Sequence, residues 1–353
     1  MKTKTGPNPI YCKSESQAHP VVRNRYAVET EPIKEFFATI CRWIDYRVSG
    51  GYIFGFSRVG KSRAVQFWLS DLLAERYNGR LPLFTLIHNG HNIVSESEFL
   101  AELLASSGHK FSKRAHREIM LDRLVKLYAT RAADLRDNHI VLVVDEAQDM
   151  RDVNYRTLCN LQNALDALGF QLTVISIGTH QLAFQQEVFL LTGDIHLWAR
   201  FMAEQAKFRG ISSEKELTFV LEGYDTLSDW PENSGTTYTG YFFPIAFAGG
   251  FRLAKYAPQL WETFAKNAPQ HLCFKLEVPM VHVARIVHSL FQDFSDDYVS
   301  KYEVTHSELS DLVKRSPYRV HLSAISKSLR EDSTGPAMRR AQHVEEVPKD
   351  ISK

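Results

Sequence analysis

Residues 55–62 read Gly55-Phe56-Ser57-Arg58-Val59-Gly60-Lys61-Ser62, and this stretch decides the fold. It matches in full the pattern G-x-x-x-x-G-K-[ST], in which a glycine-rich backbone turns its N–H groups toward a phosphate. The short apolar run from Gly51 to Gly55 leads into it, and a helical pattern from Arg63 to Arg76 follows it. A strand, this loop and a helix in that order predict a phosphate-binding loop, or P-loop.

The side chains of the P-loop match the chemistry of a nucleoside triphosphate. We expect Lys61 to reach the β and γ phosphates and Ser62 to ligate magnesium, so ATP and Mg²⁺ are the predicted cofactors. The alternative is a plain glycine turn with an exposed lysine. The predicted nucleotide-binding residues are Gly55, Ser57, Arg58, Val59, Gly60, Lys61, Ser62 and Arg63.

A second acidic motif, Asp145-Glu146, follows the apolar run from Ile140 to Val144. Such a run is typical of a strand buried on both faces, so both carboxylates should lie at the carboxyl edge of the sheet, beside the P-loop. We expect Asp145 to hold the magnesium and Glu146 to polarise the attacking water. The alternative is that both residues cap the next helix. The adjacent glutamate favours ATP hydrolysis over phosphoryl transfer to a metabolite.

Strands alternate with helices through the first two hundred residues, which predicts an α/β fold with a doubly wound, mostly parallel sheet. Beyond about residue 204 the alternation fades, and we expect an edge strand from Glu216 to Leu221, a loop from Ser228 to Gly240 and then a helical C-terminal lobe. The predicted organisation is an N-terminal arm over 1–22, an ATPase core over 23–204, the core edge plus helical lobe over 205–329, and a flexible tail over 330–353.

Two further side chains are candidates for completing the site. Thr179, or failing that His180, follows the strand Leu172 to Ile177 and is placed to sense the γ phosphate, although Gly-Thr after a strand is also a common turn. Arg200 lies past the next helix and is a candidate arginine finger for the ATP of a neighbouring subunit. A salt-bridged surface arginine is the competing interpretation of Arg200.

The overall composition excludes several classes of protein. The 353 residues carry a formal net charge of +1, which excludes a globally basic nucleic-acid-packaging protein. The four cysteines are too scattered for a metal site and predict buried thiols in a reducing cytoplasm. The sequence shows no signal peptide and no membrane-spanning run, so we predict a cytoplasmic protein with no membrane partner.

A local basic cluster precedes the Asp145-Glu146 strand and consists of Lys110, Lys113, Arg114 and Arg117. The i, i+4, i+7 spacing of Lys110, Arg114 and Arg117 puts them on one face of a helix. Such a face is suited to contacting DNA phosphates without reading the base sequence. A solvated helix face explains the same run of charges.

The order of four motifs along the chain resembles that of an AAA+ ATPase. These motifs are the P-loop, Asp145-Glu146-Ala147-Gln148-Asp149, the Gly178-Thr179 strand end and Trp198-Ala199-Arg200-Phe201. More narrowly, residues 20–290 are similar to the TnsC/TniB transposition regulators of transposons related to CRISPR-associated systems. The Asp-Glu-Ala-Gln string also resembles secretion-associated ATPases. The resemblance implies an AAA+ P-loop sheet with a helical C-terminal lobe.

The same resemblance implies function and partners. It implies an ATPase that oligomerises into rings or filaments on duplex DNA and links a TniQ-like targeting protein to the transposase. The resemblance gives the P-loop roles to Lys61 and Ser62 and the acidic-motif roles to Asp145 and Glu146. It makes Thr179 the first sensor and Arg200 the arginine finger. A second sensor arginine has no convincing match, with Arg252 a weak candidate. The alternative function is another AAA+ ATPase, such as a secretion-associated motor or a helicase loader.

Overall fold

The structure is a computed structural model that describes residues 17–90, 95–109, 116–270, 272, 275–293 and 303–333. The described residues divide into two compact units. The first, called here the sheet unit, contains residues 31–212 and 269–281 and the segment from Val320 onward. The second, called the helical unit, contains the chain up to Thr30 together with residues 213–268 and 282–319.

A five-stranded parallel sheet forms the centre of the sheet unit. Its strands are β1 (Gly50–Phe54), β2 (Leu83–Ile87), β3 (His139–Asp145), β4 (Gln171–Gly178) and β5 (Glu204–Lys207). Their order across the sheet is β2-β3-β4-β1-β5, and every neighbouring pair runs parallel. The predicted doubly wound parallel sheet is therefore confirmed.

Strand β3 lies near the middle of this sheet, and its burial shows how the sheet is covered. All seven of its residues are buried. Successive strand side chains point to opposite faces, so packed layers must cover both faces of the sheet. The helices that connect the strands provide these layers.

Helices of the sheet unit alternate with its strands. The segment after β1 is helical throughout but includes one π-helical turn: Lys61–Ala64, then Val65–Leu69, then Ser70–Arg76, together called α2. The other helices are α1 (Glu31–Asp45), α3 (Glu96–Ser106), α4 (Arg117–Leu135), α5 (Asp152–Asp166), α6 (Gln181–Thr192) and α7 (Ile195–Phe201).

The core packs β3 and β4 against α3, α4 and α5. Fully buried members from the helices include Phe99, Leu104, Leu124, Tyr128 and Leu158. Phe84 stacks on the Tyr128 ring with 3.8 Å between ring centroids. Cys41 and Cys159 are buried free thiols, as predicted, whereas Cys12 and Cys273 lie outside the described residues.

One predicted strand is wrong. Residues 216–221 belong to a helix, α8 (Glu214–Glu222), whose buried residues Leu217, Val220 and Leu221 follow helical spacing. The Ser213 hydroxyl caps this helix by accepting a hydrogen bond from the Glu216 N–H at 3.2 Å. The edge strand beside β1 is β5 instead.

The helical unit contains α8 and most of the helices that follow it, whereas nearly all of the last helix belongs to the sheet unit. A π-helical turn Gly223–Leu227 extends α8, and a 3-10 turn Leu253–Tyr256 leads into α11. The predicted loop from Ser228 to Gly240 ends early, because α9 begins inside it. The remaining helices of the chain are α9 (Tyr238–Phe242), α10 (Pro244–Ala248), α11 (Ala257–Asn267), α12 (Met280–Asp293), α13 (His306–Arg315) and α14 (Tyr318–Ser333).

Aromatic rings and one buried carboxylate organise the helical unit. The Asp225 carboxylate accepts hydrogen bonds from the Leu253 and Ala254 N–H groups at 3.1 and 3.0 Å. His19 is fully buried, with its ring against the rings of Tyr238 and Phe242. The helical C-terminal region predicted from the sequence is thus present. Within the described residues, no helix is long and apolar enough to span a bilayer.

Truncating a β3 side chain tests how far the sheet depends on this fully buried strand. Leu142 is fully buried, so we expect Leu142→Ala to lower the free energy of unfolding by about 2–5 kcal/mol, through lost burial and the cavity left behind. Denaturant unfolding followed by circular dichroism measures the change. Leu168→Ala is the matched control, because Leu168 is 56% exposed and its truncation should cost less than about 0.5 kcal/mol. Equal losses in the two variants would contradict this account of the core.

Candidate nucleotide site

The P-loop connects the carboxyl end of β1 to the start of α2. Gly55 packs so closely on the main chain of Phe208 that a Cβ at position 55 would overlap the Phe208 carbonyl oxygen. Gly60 has a φ of 120°, a conformation that L side chains rarely adopt. Both glycines of the motif are therefore required by the backbone, and a Cβ at Gly60 would meet nothing within 4 Å, so the loop faces open space there.

Lys61 is almost entirely buried, with 8% of the residue exposed. Its Nζ donates hydrogen bonds to the carbonyl oxygens of Gly55 at 2.9 Å and Phe56 at 2.7 Å. Burial lowers the pKa of Lys61 to about 8, and the nearby Asp145 and Glu146 carboxylates oppose that shift. The lysine thus stays largely protonated near neutral pH and is held at the mouth of the loop.

Asp145 ends β3 at the same edge of the sheet. It is 4% exposed, and burial raises the pKa of its carboxyl group, while a hydrogen bond from the Ser62 side chain opposes the rise. Mg²⁺ in nucleotide sites is commonly held by one or two protein oxygens together with substrate phosphates and water. The Ser62 hydroxyl and Asp145 carboxylate, which meet beside Lys61, fit that requirement.

Glu146 follows in an unusual conformation. Its backbone is left-handed, with φ 57° and ψ 32°, and its N–H donates to Asp145 Oδ1 at 3.0 Å. Its carboxylate oxygen Oε2 accepts a hydrogen bond from the Gln148 side-chain amide at 2.7 Å. A non-glycine residue in this region is uncommon, and strained backbone of this kind occurs at active sites as well as at turns and helix ends.

Thr179 and His180 follow β4, the strand between β3 and β1. The Thr179 N–H donates to Gln148 Oε1 at 3.0 Å, and its hydroxyl donates to Gln181 Oε1 at 3.4 Å. The His180 ring lies near the Phe56 ring of the P-loop, and its Nε2 is 3.4 Å from the Ser328 hydroxyl oxygen. Both sensor candidates therefore lie at the edge of the sheet that carries the P-loop.

The remaining predicted loop residues have different surroundings. Val59 is buried, while Arg58 has a left-handed backbone and accepts a hydrogen bond at its carbonyl oxygen from the Val281 N–H at 3.3 Å. The Arg63 guanidinium lies over the Phe67 ring on the next turn of α2. The Ser57 hydroxyl oxygen is 3.1 Å from His321 Nε2.

Helix α14 was not expected at this site. His321 contacts the P-loop through Ser57, and Ser328, two turns further along, contacts His180 after β4. Burial lowers the pKa of His321, and the Arg58 guanidinium lowers it further. No local motif marks these residues, because each contact joins positions far apart in the chain.

Arg200 lies at the opposite edge of the same sheet. A Cβ on Gly50, the first residue of β1, would come within 2.8 Å of the Arg200 carbonyl oxygen. The Arg200 guanidinium donates to Asn163 Oδ1 at 2.9 Å and lines a polar cleft of about 390 Å³ with Arg47, Asn138 and Asp166. Arg200 therefore does not approach the P-loop of its own chain.

The basic cluster is only partly within the described residues. Lys110, Lys113 and Arg114 lie outside them. Arg117 is the first residue of α4, and His116 before it has an extended backbone, so the predicted helical face does not continue through His116. At the start of α4, the Arg117 guanidinium forms a salt bridge with the Glu96 carboxylate at 2.6 Å.

Arg252, the weak candidate for a second sensor, is engaged within the helical unit. Its Nη1 donates to the carbonyl oxygens of Phe247 at 2.8 Å and Phe251 at 2.6 Å. Its guanidinium carbon also lies 3.6 Å from the centroid of the Phe247 ring. These contacts give Arg252 a structural role in capping the turn after α10.

The buried ammonium of Lys61 predicts a pH dependence of stability. Its pKa falls from the ordinary 10.5 to about 8 on folding. Between those values the unfolded chain binds more protons than the folded one, so this group makes the free energy of unfolding rise with pH. Between about pH 7.5 and 9.5, this group should raise the free energy of unfolding of the wild type by about 2 kcal/mol. We expect the Lys61→Met variant to lack that rise.

Denaturant unfolding across this pH range is the measurement. Lys126→Met is the control, because the Lys126 side chain is 71% exposed on α4 and its loss should leave the wild-type rise in place. A Lys61→Met chain with the same pH dependence as wild type would show that the ammonium is not buried as described.

Comparison with known proteins agrees with this geometry. Residues 46–185 match the family model of the AAA domain. The ORC2 protein of Aeropyrum pernix, in ADPNP–ADP complexes, superimposes with a TM-score of 0.54 at 13% identity, over 84% of this chain and 71% of that protein. No curated protein matches the sequence.

Two further solved structures are similar at a lower level. Cdc6p of Pyrobaculum aerophilum has a TM-score of 0.47 at 14% identity, over 75% of this chain and 61% of that protein. The ORC1 protein of Aeropyrum pernix, in complex with DNA, has a TM-score of 0.41 at 12% identity, over 83% of this chain and 85% of that one. At sequence identities this low, structural similarity indicates a shared fold and nothing more. Residues 46–185 are thus similar to the AAA domain, and the chain shares with the ORC2 protein an α/β P-loop fold that has a helical C-terminal region.

Proposed function

We propose that this protein hydrolyses ATP at the P-loop and uses hydrolysis to control its own assembly on duplex DNA. The observation that carries the enzymatic part is the meeting of Lys61, Ser62 and Asp145 at one edge of the sheet, with Glu146 directly beside them. A lysine, a hydroxyl and two carboxylates are the groups that hydrolysis of a nucleoside triphosphate requires.

Each side chain has a distinct task in this proposal. Bound Mg²⁺ would neutralise charge on the β and γ phosphates, held by Ser62 and Asp145. Lys61 exchanges its two loop carbonyls for phosphate oxygens, and the N–H groups of the P-loop surround the phosphates. Glu146 orients and polarises the attacking water, and Thr179 donates from the end of the neighbouring strand.

Arg200 is the residue from which we infer that several copies of the protein assemble. It lies at the amino edge of the sheet, away from its own P-loop, and part of its side chain is exposed to solvent. We propose that it reaches the ATP of a neighbouring copy and stabilises the charge that develops there. Copies joined in this way contact each other head to tail, which produces rings or filaments.

The choice of DNA and of partners is supported by the sequence resemblance to TnsC/TniB regulators. The basic segment before α4, with Lys110, Lys113 and Arg114, is the proposed contact with DNA phosphates. Contacts of this kind carry little sequence preference and depend strongly on salt. In this proposal the assembled protein links a TniQ-like targeting protein to a transposase, and ATP hydrolysis takes the assembly apart.

Glu146→Gln tests the proposed hydrolysis. The amide keeps the shape of the side chain but is a far weaker base, so kcat for ATP should fall by about 10²- to 10⁴-fold while nucleotide binding survives. Lys61→Ala should instead abolish binding. Phosphate release and equilibrium binding of a fluorescent ATP analogue separate the two effects. Glu222→Gln, an exposed glutamate of α8, is the control and should keep wild-type kcat.

The assembly is tested by electron microscopy of the same proteins. Glu146→Gln with ATP and duplex DNA should form rings or filaments, which disappear without nucleotide, without DNA or at high salt. Assemblies that form equally well without DNA, or only on single strands, would favour another AAA+ role such as a secretion-associated motor or a helicase loader. Monomers under every condition would overturn the proposal.

A mixing experiment tests Arg200 separately. Arg200→Ala should lower kcat strongly, since an arginine finger contributes about 10³- to 10⁵-fold in well-studied GTPases. Glu146→Gln is inactive for a different reason and still carries Arg200. An equimolar mixture should therefore regain activity above either variant alone. Arg47→Ala, which removes another arginine of the same cleft, is the control. A mixture no more active than its parts would contradict a role in trans.

A further inference from the structure

Gln148 connects two parts of the site that the sequence keeps apart. It lies in the 3-10 turn Ala147–Asp149, directly after Glu146. Its side-chain amide makes two hydrogen bonds: Nε2 donates to Glu146 Oε2 at 2.7 Å, and Oε1 accepts from the Thr179 N–H at 3.0 Å. One side chain therefore joins the carboxylate after β3 to the main chain after β4.

The orientation of this amide is fixed by its partners. An ionised carboxylate only accepts hydrogen bonds, and a backbone N–H only donates them. The nitrogen must therefore face Glu146 and the oxygen must face Thr179, since a flipped amide would lose both bonds. The bridge has a single satisfied arrangement.

The surroundings of Gln148 are built to hold that arrangement. A Cβ on Gly178 would lie 2.5 Å from Gln148 Oε1 and 3.1 Å from its main-chain nitrogen, so the bridge needs glycine at the end of β4. On the other side, Gln185 Nε2 donates to the carbonyl oxygens of Gln148 and Met150, both at 2.9 Å. The buried Tyr155 hydroxyl donates in turn to Gln185 Oε1 at 3.1 Å. The 3-10 turn is thus anchored through α5 and α6.

We propose that Gln148 is a positioning residue that ties the Glu146 carboxylate to the end of β4. A carboxylate on a left-handed backbone can swing about its side-chain bonds, and the Gln148 amide fixes one of its oxygens relative to Thr179. The other lone pairs of the carboxylate stay available for a water molecule.

This inference rests on the proposed role of Glu146 as the group that polarises water, and its test separates the two. Gln148→Met keeps the length of the side chain but removes both hydrogen bonds. We expect kcat for ATP to fall by about 10- to 100-fold, as for other misaligned catalytic groups, with the affinity for a fluorescent ATP analogue within about twofold of wild type. Gln259→Met, an exposed glutamine of α11, is the control and should change neither quantity.

Gly178→Ala provides an independent route to the same defect, because the added methyl group displaces the Gln148 amide. Its kcat should fall to a similar extent, and the Gln148→Met/Gly178→Ala double variant should be no slower than the slower single variant, since both remove one bridge. Thermal unfolding of each variant shows that the sheet unit still folds. Additive losses of the two single variants would contradict a shared bridge.

The Glu146→Gln background decides whether Gln148 acts through Glu146. Adding Gln148→Met to Glu146→Gln should leave the residual rate unchanged, because the group to be positioned is already lost. A further fall in rate, or a Gln148→Met chain with wild-type kcat, would overturn the positioning role. If Glu146→Gln itself hydrolyses ATP at the wild-type rate, then the proposed function fails, and this inference fails with it for that distinct reason.

Discussion

The parallel pairing of β3 with β4 and of β4 with β1 fixes the geometry on which everything else depends. Val144 lies opposite Ser176, and Phe54 lies opposite Gly178, so the residues that follow all three strands emerge at the same level. The P-loop, the Asp145-Glu146 pair and Thr179 therefore converge without any of them being close in sequence. Burial of the three strands keeps this register, because a slip of one residue would turn every side chain of a strand to the opposite face of the sheet, away from its packing partners.

Local patterns account for what the sequence predicted well. The P-loop glycines, Lys61 and the strand before Asp145 are recognisable within a few residues of each other, and the order of strands and helices follows from the same patterns. Residues 216–221 were misassigned because a short apolar run fits a strand and a buried helix equally well. Ser213, three residues before Glu216, is the capping signal that identifies α8 as a helix.

Contacts between distant positions account for what the sequence missed. Gln148 meets Thr179 across 31 positions, and Ser57 meets His321 across 264, so neither pair forms a local motif. The basic face was predicted from helical spacing alone, yet α4 begins only at Arg117, whose guanidinium is paired with Glu96. A helical face that includes Arg117 cannot continue through His116, because the backbone of His116 is extended.

The two hydrogen bonds from Lys61 to the carbonyl oxygens of Gly55 and Phe56 have a thermodynamic consequence. Burying an ammonium group without hydrogen-bond acceptors would cost a large free energy, and here the carbonyl oxygens of the loop act as the acceptors. A phosphate that engages Lys61 must replace acceptors already in place, and the released carbonyls must find water or other donors. The net free energy gained from this lysine is therefore the difference between two sets of charge-assisted hydrogen bonds, one to the loop carbonyls and one to the phosphate.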